Sequence, residues 1–312
     1  MTPGPARGAM RPSVGRRLAA LAIGSLWLGA PVAAGAEPTA ASSAEPAAVA
    51  PPDSAATQRW SSFLPLMKEE ALSRGYELPL PFGAGLTYLY MDRRIVVTDV
   101  RVGVNGEPPQ SVSNYLDLGS RSWTQNANLK LDAWLLPFLN LYALVGYVYN
   151  RSTTHATVTA PKLGGGSRTF EMSIPTTLDG LVGGLGLTVA AGYQAFFLAA
   201  DANYAQTDLG FDDRFHAGVV SIRSGWNGKV SGRTTQIWLG GTKWSTANTA
   251  KGTQEVPGVG TVHFEADQGP LNDTNADIGT SVFLSPGLHL FVDYGFNFDD
   301  VQTFIGGLTY RM

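Results

Sequence analysis

The residues to weigh first are those that could do chemistry. Four histidines are present, His155, His216, His263 and His289. A histidine base needs a nucleophile and an orienting acid within reach. His289 and Asp293 fall on one face of an alternating segment, which makes a Ser–His–acid set conceivable there. No serine has a motif around it, and Gly-x-Ser-x-Gly does not occur. Asp273-Thr-Asn275-Ala-Asp277 opens like a calcium loop, but Ile278 stands where glycine is needed and Leu284 where the bidentate glutamate belongs. Gly164-Gly165-Gly166-Ser167 lacks the lysine and helix of a phosphate loop. Cysteine is absent, which is compatible with export through an oxidising periplasm. These readings assign no catalytic residue, metal or cofactor. What remains is a set of charged and polar side chains, Lys130, Asp132, Asp201, Asn203, Arg223, Asp293 and Arg311, and the question of what places them on a common face.

Composition narrows the class. Charged residues make up 15% of the 312, against the ~25% usual for soluble domains. A net charge of −3 offers no basic surface for nucleic acid. Mean hydropathy is −0.00, and past the N-terminus no apolar run reaches the roughly 18 residues of a transmembrane helix. Any membrane span must therefore be written as alternation, which averages a polar and an apolar face to near zero.

The N-terminal region reads as an export signal. Arg11, Arg16 and Arg17 precede the apolar run Leu18–Leu28, and Ala34-Gly35-Ala36 is a cleavage site, so residues 1–36 form a cleavable signal peptide whose start is Met1 or Met10. Residues 37–59 are an Ala/Pro-rich linker of disordered composition. Residues 60–75 predict a short amphipathic helix, with Leu66, Met67, Ala71 and Leu72 opposite Lys68, Glu69 and Glu70, placed as a plug or at the periplasmic rim.

Residues 76–312 alternate with period two. In Trp123–Leu135, Thr124, Asn126, Asn128, Lys130 and Asp132 share one face, and Ala127, Leu129, Leu131, Ala133 and Leu135 share the other. Leu139, Leu141, Ala143, Val145, Tyr147 and Tyr149 repeat the apolar face after a turn at Pro137. Further segments follow at Leu181–Val189, Phe196–Tyr204, Val220–Trp226, Thr234–Trp244, Ile278–Leu284, Leu288–Phe296 and Val301–Met312, with a first strand at Phe82–Met91. Short turns are expected near Pro137, Gly192, Gly228 and Pro286, and long connections at 92–120, 151–177 and 245–273. Short turns on one side and long loops on the other are the pattern of periplasmic turns and extracellular loops. The expected fold is all-β, an antiparallel transmembrane β-barrel of about ten strands, with 8 or 12 as alternatives. Residues 92–104 also alternate, as a strand extension above the membrane or as a further pair. A soluble barrel would invert the two faces. The signal peptide, the aromatic strand ends (Trp123, Tyr147, Tyr149, Tyr204, Trp226 and Tyr310) and the alternating loop lengths favour the membrane version.

With these residues laid out, Trp134-Leu-Leu-Pro-Phe-Leu-Asn140, Ile237-Trp-Leu-Gly-Gly-Thr242 and Asp293-Tyr-Gly-Phe-Asn-Phe-Asp-Asp300 resemble segments of porin-like outer-membrane β-barrel proteins of Gram-negative bacteria. Met312 departs from the terminal aromatic that such barrels present to the assembly machinery. The resemblance implies the fold, the bacterial cell outer membrane as location, lipopolysaccharide and membrane lipids as surroundings, and barrel-assembly machinery during biogenesis. It carries over no substrate and no catalytic residue.

Three functions stand open on this reading. The first is porin-like passive passage of a small solute along the lumen face named above. The second is a closed structural or interaction barrel acting through its extracellular loops. The third, an outer-membrane lipid-modifying enzyme, lacks a nucleophile.

Overall fold

The computed structural model describes residues 62–73, 78–161, 167–210, 213–246, 248–256 and 260–312. The signal peptide and the Ala/Pro-rich linker lie outside the described residues. One short helix, α1 (Lys68–Ser73), precedes the strands β1 (Phe82–Val104), β2 (Gln110–Ser111), β3 (Leu116–Leu136), β4 (Leu139–Pro161), β5 (Ser167–Tyr193), β6 (Phe196–Asp208), β7 (Phe215–Val230), β8 (Arg233–Ser245), β9 (Asn248–Val256), β10 (Gly260–Pro270), β11 (Thr274–Ser285), β12 (Leu288–Phe296) and β13 (Gln302–Arg311).

Ten of these strands close into an antiparallel barrel in the order β1-β3-β4-β5-β6-β7-β8-β11-β12-β13, with β13 pairing back onto β1 from Gly83↔Arg311 to Asp92↔Gln302. Closure leaves no unpaired backbone edge facing lipid, the requirement that confines membrane-spanning sheets to barrels. The two faces separate as the alternation demands. Outward side chains such as Leu86, Leu131, Leu185, Ile222 and Leu239 are exposed, whereas the inward Asn126, Asp132, Asp201 and Asp293 are buried. An exposed apolar belt around an interior that buries polar and charged side chains beside apolar ones is the arrangement of a transmembrane barrel of the outer-membrane type.

The long connections are strand more than loop. β4 and β5 stay paired from Leu139↔Val189 to Pro161↔Ser167, while β6 stops at Leu181↔Asp208. The upper ends of β3, β4 and β5 therefore rise above their neighbours as a blade. Residues 92–104 continue β1 beyond its last pair with β13, and above that point β10 takes β13's place from Ile95↔Pro270 to Val104↔Val262. The β9–β10 hairpin leaves β8 and returns to β11, yet pairs with β1, so it passes above the short strands β11, β12 and β13.

Two expected turns sit elsewhere. Gly228 lies within β7, and the chain reverses at Ser231 and Gly232, both at positive φ (51° and 78°). Such a two-residue turn matches the twist of the flanking strands. Gly192 also lies within its strand, and the reversal falls at Gln194 (φ 56°). The helix is shorter than residues 60–75 and buries none of its residues. Its expected apolar side is exposed at Leu66, Met67 and Leu72. The contact with the barrel comes just before it, where Leu64 is buried and the Leu66 N–H donates to the Leu135 carbonyl at 2.8 Å. Downstream, Pro81 accepts from the Trp134 N–H at 2.8 Å and Leu80 accepts from the Arg311 guanidinium at 3.2 Å. Both stretches of the lead-in are thus tied to the periplasmic end of the barrel.

Candidate functional site

The site is the lumen. All seven residues expected on the inward face are buried, from 8% exposed at Lys130 to 2% at Asp293. Strand periodicity points them inward, and strand pairing decides which of them meet.

In the lower lumen, near the periplasmic turns, Arg311 of β13 donates to Asp132 of β3 at 2.9 Å, and Asn140 of β4 donates to the same carboxylate oxygen at 2.7 Å. The Arg311 guanidinium also sits 5.8 Å from the Trp134 ring centre. Higher up, Tyr142 donates to Asp201 at 2.9 Å and Thr188 donates to it at 2.7 Å. The Lys130 ammonium lies 4.5 Å from the centre of the Tyr142 ring, which sets a cation between Asp132 and Asp201. On the opposite wall, Trp238 donates its indole N–H to Asp293 at 2.6 Å, Arg223 stands 5.8 Å from that indole ring, and Thr242 donates to Asp277 at 2.5 Å. Three cations and four carboxylates thus share the lower lumen, with Asp277 and Asp293 on the neighbouring strands β11 and β12. Buried charges of both signs in such an arrangement offset each other's desolvation.

The sequence reading missed the residues that hold this belt. Tyr142, Phe197, Trp238 and Phe291 all point inward from the strands that rise from a periplasmic turn. Each lies directly opposite a glycine on the following strand, in the pairs Tyr142↔Gly186, Phe197↔Gly225, Trp238↔Gly279 and Phe291↔Gly307. A Cβ at any of these glycines would collide with the ring of its partner. The rings can therefore fold flat against the wall, the cross-strand covering of glycine by an aromatic that strengthens sheets. The signal was the 37 glycines, but only the register reveals their partners. Asp277, which the sequence offers as part of a failed calcium-loop match, also belongs to the belt.

Above the belt the lumen changes character. Its inward side chains include Asn126, Thr124, Ser122 and Ser120 on β3, Asn150, Ser152 and Thr154 on β4, and Ala250 and Ala266 on the hairpin, all buried, and at the same levels the buried Leu89, Met91, Arg93 and Ile95 of β1 and Val148 of β4. Asn150 donates to Ser122 at 2.7 Å and to Thr124 at 2.8 Å. The hairpin is fastened from outside by Arg101 of β1, whose guanidinium contacts Asp267 at 2.9 Å, Glu265 at 3.1 Å and Asp99 at 3.6 Å. Ser111 and Ser113 donate to Asp99 at 2.6 and 2.7 Å. These two hydrogen bonds, with Arg101 nearby, hold the Asp99 carboxyl below its ordinary pKa.

Several buried polar atoms along this column have no hydrogen-bond partner in the protein. Among the described residues they include the Trp134 and Trp244 indole nitrogens, both ends of the Asn128 amide, and the hydroxyls of Ser152, Ser221 and Ser281.

The histidines do not assemble an acyl-transfer site. His289 is buried against Phe283, with ring centres 5.3 Å apart. His216 meets the Tyr204 hydroxyl at 2.6 Å on the outer face, and His263 meets Thr253 at 3.0 Å. His155 stands opposite Ser173 on the exposed wall of the β4–β5 blade. No described group of three or more carboxylates or histidines could hold a metal ion.

No protein-family model matches the chain, and no curated protein does. Among solved structures, similar folds are outer-membrane barrels. They include the transport unit of the autotransporter AIDA-I from Escherichia coli (13% identity, 74% of this chain and 90% of that chain, TM-score 0.33). The Pseudomonas putida toluene transporter TodX aligns at 12% identity over 73% of this chain and 89% of its own, with a TM-score of 0.30. Acinetobacter baumannii Omp33 aligns at 11% identity over 75% of this chain and 99% of its own, with a TM-score of 0.24.

Proposed function

We propose that this barrel is a narrow, porin-like passage in the bacterial outer membrane for a small polar solute. Lys130, Asp132, Asp201, Asn203, Arg223, Asp293 and Arg311, joined by Asp277, line its constriction. The observation that carries this reading is the belt of ionisable side chains buried inside the barrel, Lys130, Asp132, Asp201, Arg223, Asp277, Asp293 and Arg311, because a merely structural filling is often as stable when it is apolar. Intramembrane ionisable side chains mark solute pathways.

A second reading draws on the buried state of every belt residue and on the hairpin above them. In it the lumen is closed and the extracellular blade and hairpin act as a binding surface. Planar-bilayer recording from the refolded mature chain separates the two. Discrete open steps, together with uptake of small sugars into proteoliposomes, support the passage. A correctly folded barrel that shows neither supports the closed barrel.

A further inference from the structure

On the outer wall, where the apolar belt gives way to charge, a cavity of about 440 Å³ is lined by Asp92 and Arg94 of β1, Arg121 of β3, Gln302 of β13, the outward aromatics of β12 and the β12–β13 turn. Two features of it have no role in the barrel wall. The first is Phe298, which is 91% exposed and carries a positive φ of 64°. That backbone conformation is unfavourable for a bulky side chain and persists only where its surroundings impose it. Asn297 imposes it here. Its side-chain oxygen accepts from the N–H groups of Asp299, Asp300 and Val301 at 3.1, 3.0 and 3.0 Å, and its amide donates to Asp300 at 2.7 Å. The turn thereby extends an aromatic ladder, with Tyr294 stacked on Phe296 at 5.7 Å and Phe296 edge-on to Phe298 at 4.6 Å.

The second feature is Arg94. Its neighbour Arg121 is held by Asp92 through two hydrogen bonds of 2.9 and 2.7 Å, and Asp300 is occupied by Asn272 and Asn297 at 2.7 Å each. The Arg94 side chain is exposed and makes no hydrogen bond or ion pair among the described residues. A guanidinium left without a counter-ion, beside an ordered apolar ladder at the edge of the membrane belt, matches an anion that carries hydrocarbon.

From this juxtaposition we infer that the cavity is a binding site for a phosphorylated glycolipid of the outer leaflet, of the lipid A class. Its phosphate sits on Arg94. Its acyl chains lie along Tyr294, Phe296 and Phe298. The exposed Asp299 carboxylate accepts hydrogen bonds from sugar hydroxyls. The site lies on the outer face of the wall and does not depend on whether the lumen conducts.

The test is native mass spectrometry of the refolded mature chain in detergent, titrated with diphosphorylated lipid A and with the same lipid after dephosphorylation. The inference expects one retained molecule of the diphosphorylated form and weaker retention of the other. Arg94→Gln should lower the affinity for the diphosphorylated form about fivefold, with Arg94→Lys restoring most of it. Phe298→Ser should weaken both lipids. Lys243→Gln removes an exposed lysine elsewhere on the rim that is paired to Asp273 at 3.3 Å, and should change neither. The inference is overturned if both lipids bind alike, if Arg94→Gln has no effect, or if Lys243→Gln weakens binding as much as Arg94→Gln.

Discussion

The lower and upper halves of the lumen solve one packing problem with different chemistry. Below, full charges are buried and each carboxylate is tied to a named donor: Asp132 to Arg311, Asp201 to Tyr142, Asp293 to Trp238 and Asp277 to Thr242. Above, hydroxyls and amides pack among buried apolar side chains such as Leu89, Met91, Ile95 and Val148 around one buried cation, Arg93, whose guanidinium donates to the Asn272 carbonyl at 2.8 Å, and one side is closed by a hairpin borrowed from a distant connection. The lower half is set by local hairpins with short turns, so its geometry is rigid. The upper half depends on the junction of β1 with β10, whose interactions span over 160 residues of sequence, as in the Arg101–Asp267 contact. On the proposed function, charge selection would belong to the first region and closure of the extracellular end to the second.

The largest expected effect comes from breaking the hairpin junction. The chain has no cysteine, so Val100→Cys with Ala266→Cys, a cross-strand pair, would form the sole disulfide. If the hairpin must part from β1 for solute to pass, the oxidised protein conducts poorly and reduction restores it. Equal conductance in both states would make the hairpin a fixed wall and confine any gate to the belt. Next in size is Asp132→Ala, which strands the buried Arg311 charge and should destabilise the barrel by about 3–5 kcal/mol in urea unfolding. In the upper lumen Asn150→Ala should cost only about 1 kcal/mol, since it removes neutral hydrogen bonds. Comparable losses at the two sites would erase the distinction between the halves.

A smaller contrast involves glycine. Gly186→Ala puts a methyl group into the Tyr142 ring and should cost about 1–3 kcal/mol while loosening the Tyr142–Asp201 contact. Gly119→Ala, on the upper wall with nothing within 4 Å of the added carbon, should be close to neutral. Thermal migration shifts on gels would rank the two. Smallest is the pH effect at Asp99. Its folded pKa is depressed, so its contribution is present above the unfolded value near 3.8 and is lost as pH falls through the lower folded value. Amide exchange at Val100, whose N–H donates to Ser113 at 2.8 Å, should stay slow at pH 4 and quicken only in stronger acid. Quickening already at pH 5 would contradict the assignment.

How much of this was legible in the sequence follows from the same division. Alternation within one strand fixes which way a side chain points, and so the inward placement of Lys130, Asp132, Asp201 and Arg223 could be read directly. The strand count followed from turn spacing, although Gly228 and Gly192 lie inside their strands and the reversals fall at Ser231–Gly232 and Gln194, because a glycine in a strand pattern looks the same as one in a turn. Pairing across strands is not written in any one segment. The Tyr142–Gly186 and Trp238–Gly279 contacts depend on register, and the return of the β9–β10 hairpin to β1 depends on closure of the whole barrel. No sequence pattern singles out Phe298, and only the Asn297 hydrogen bonds mark its turn as built.

The central claim is that solute passes through a lumen whose selectivity resides in the charged belt. The most direct test is the reversal potential across a bilayer with unequal KCl on its two sides. Asp201→Asn, which removes a negative charge, should shift selectivity toward anions. Arg223→Gln should shift it toward cations, and Ser152→Ala in the upper lumen should leave it unchanged. Opposite shifts of the two belt variants are the predicted result. Identical reversal potentials for all three variants and the wild type would contradict the account, because current would then not be passing the belt.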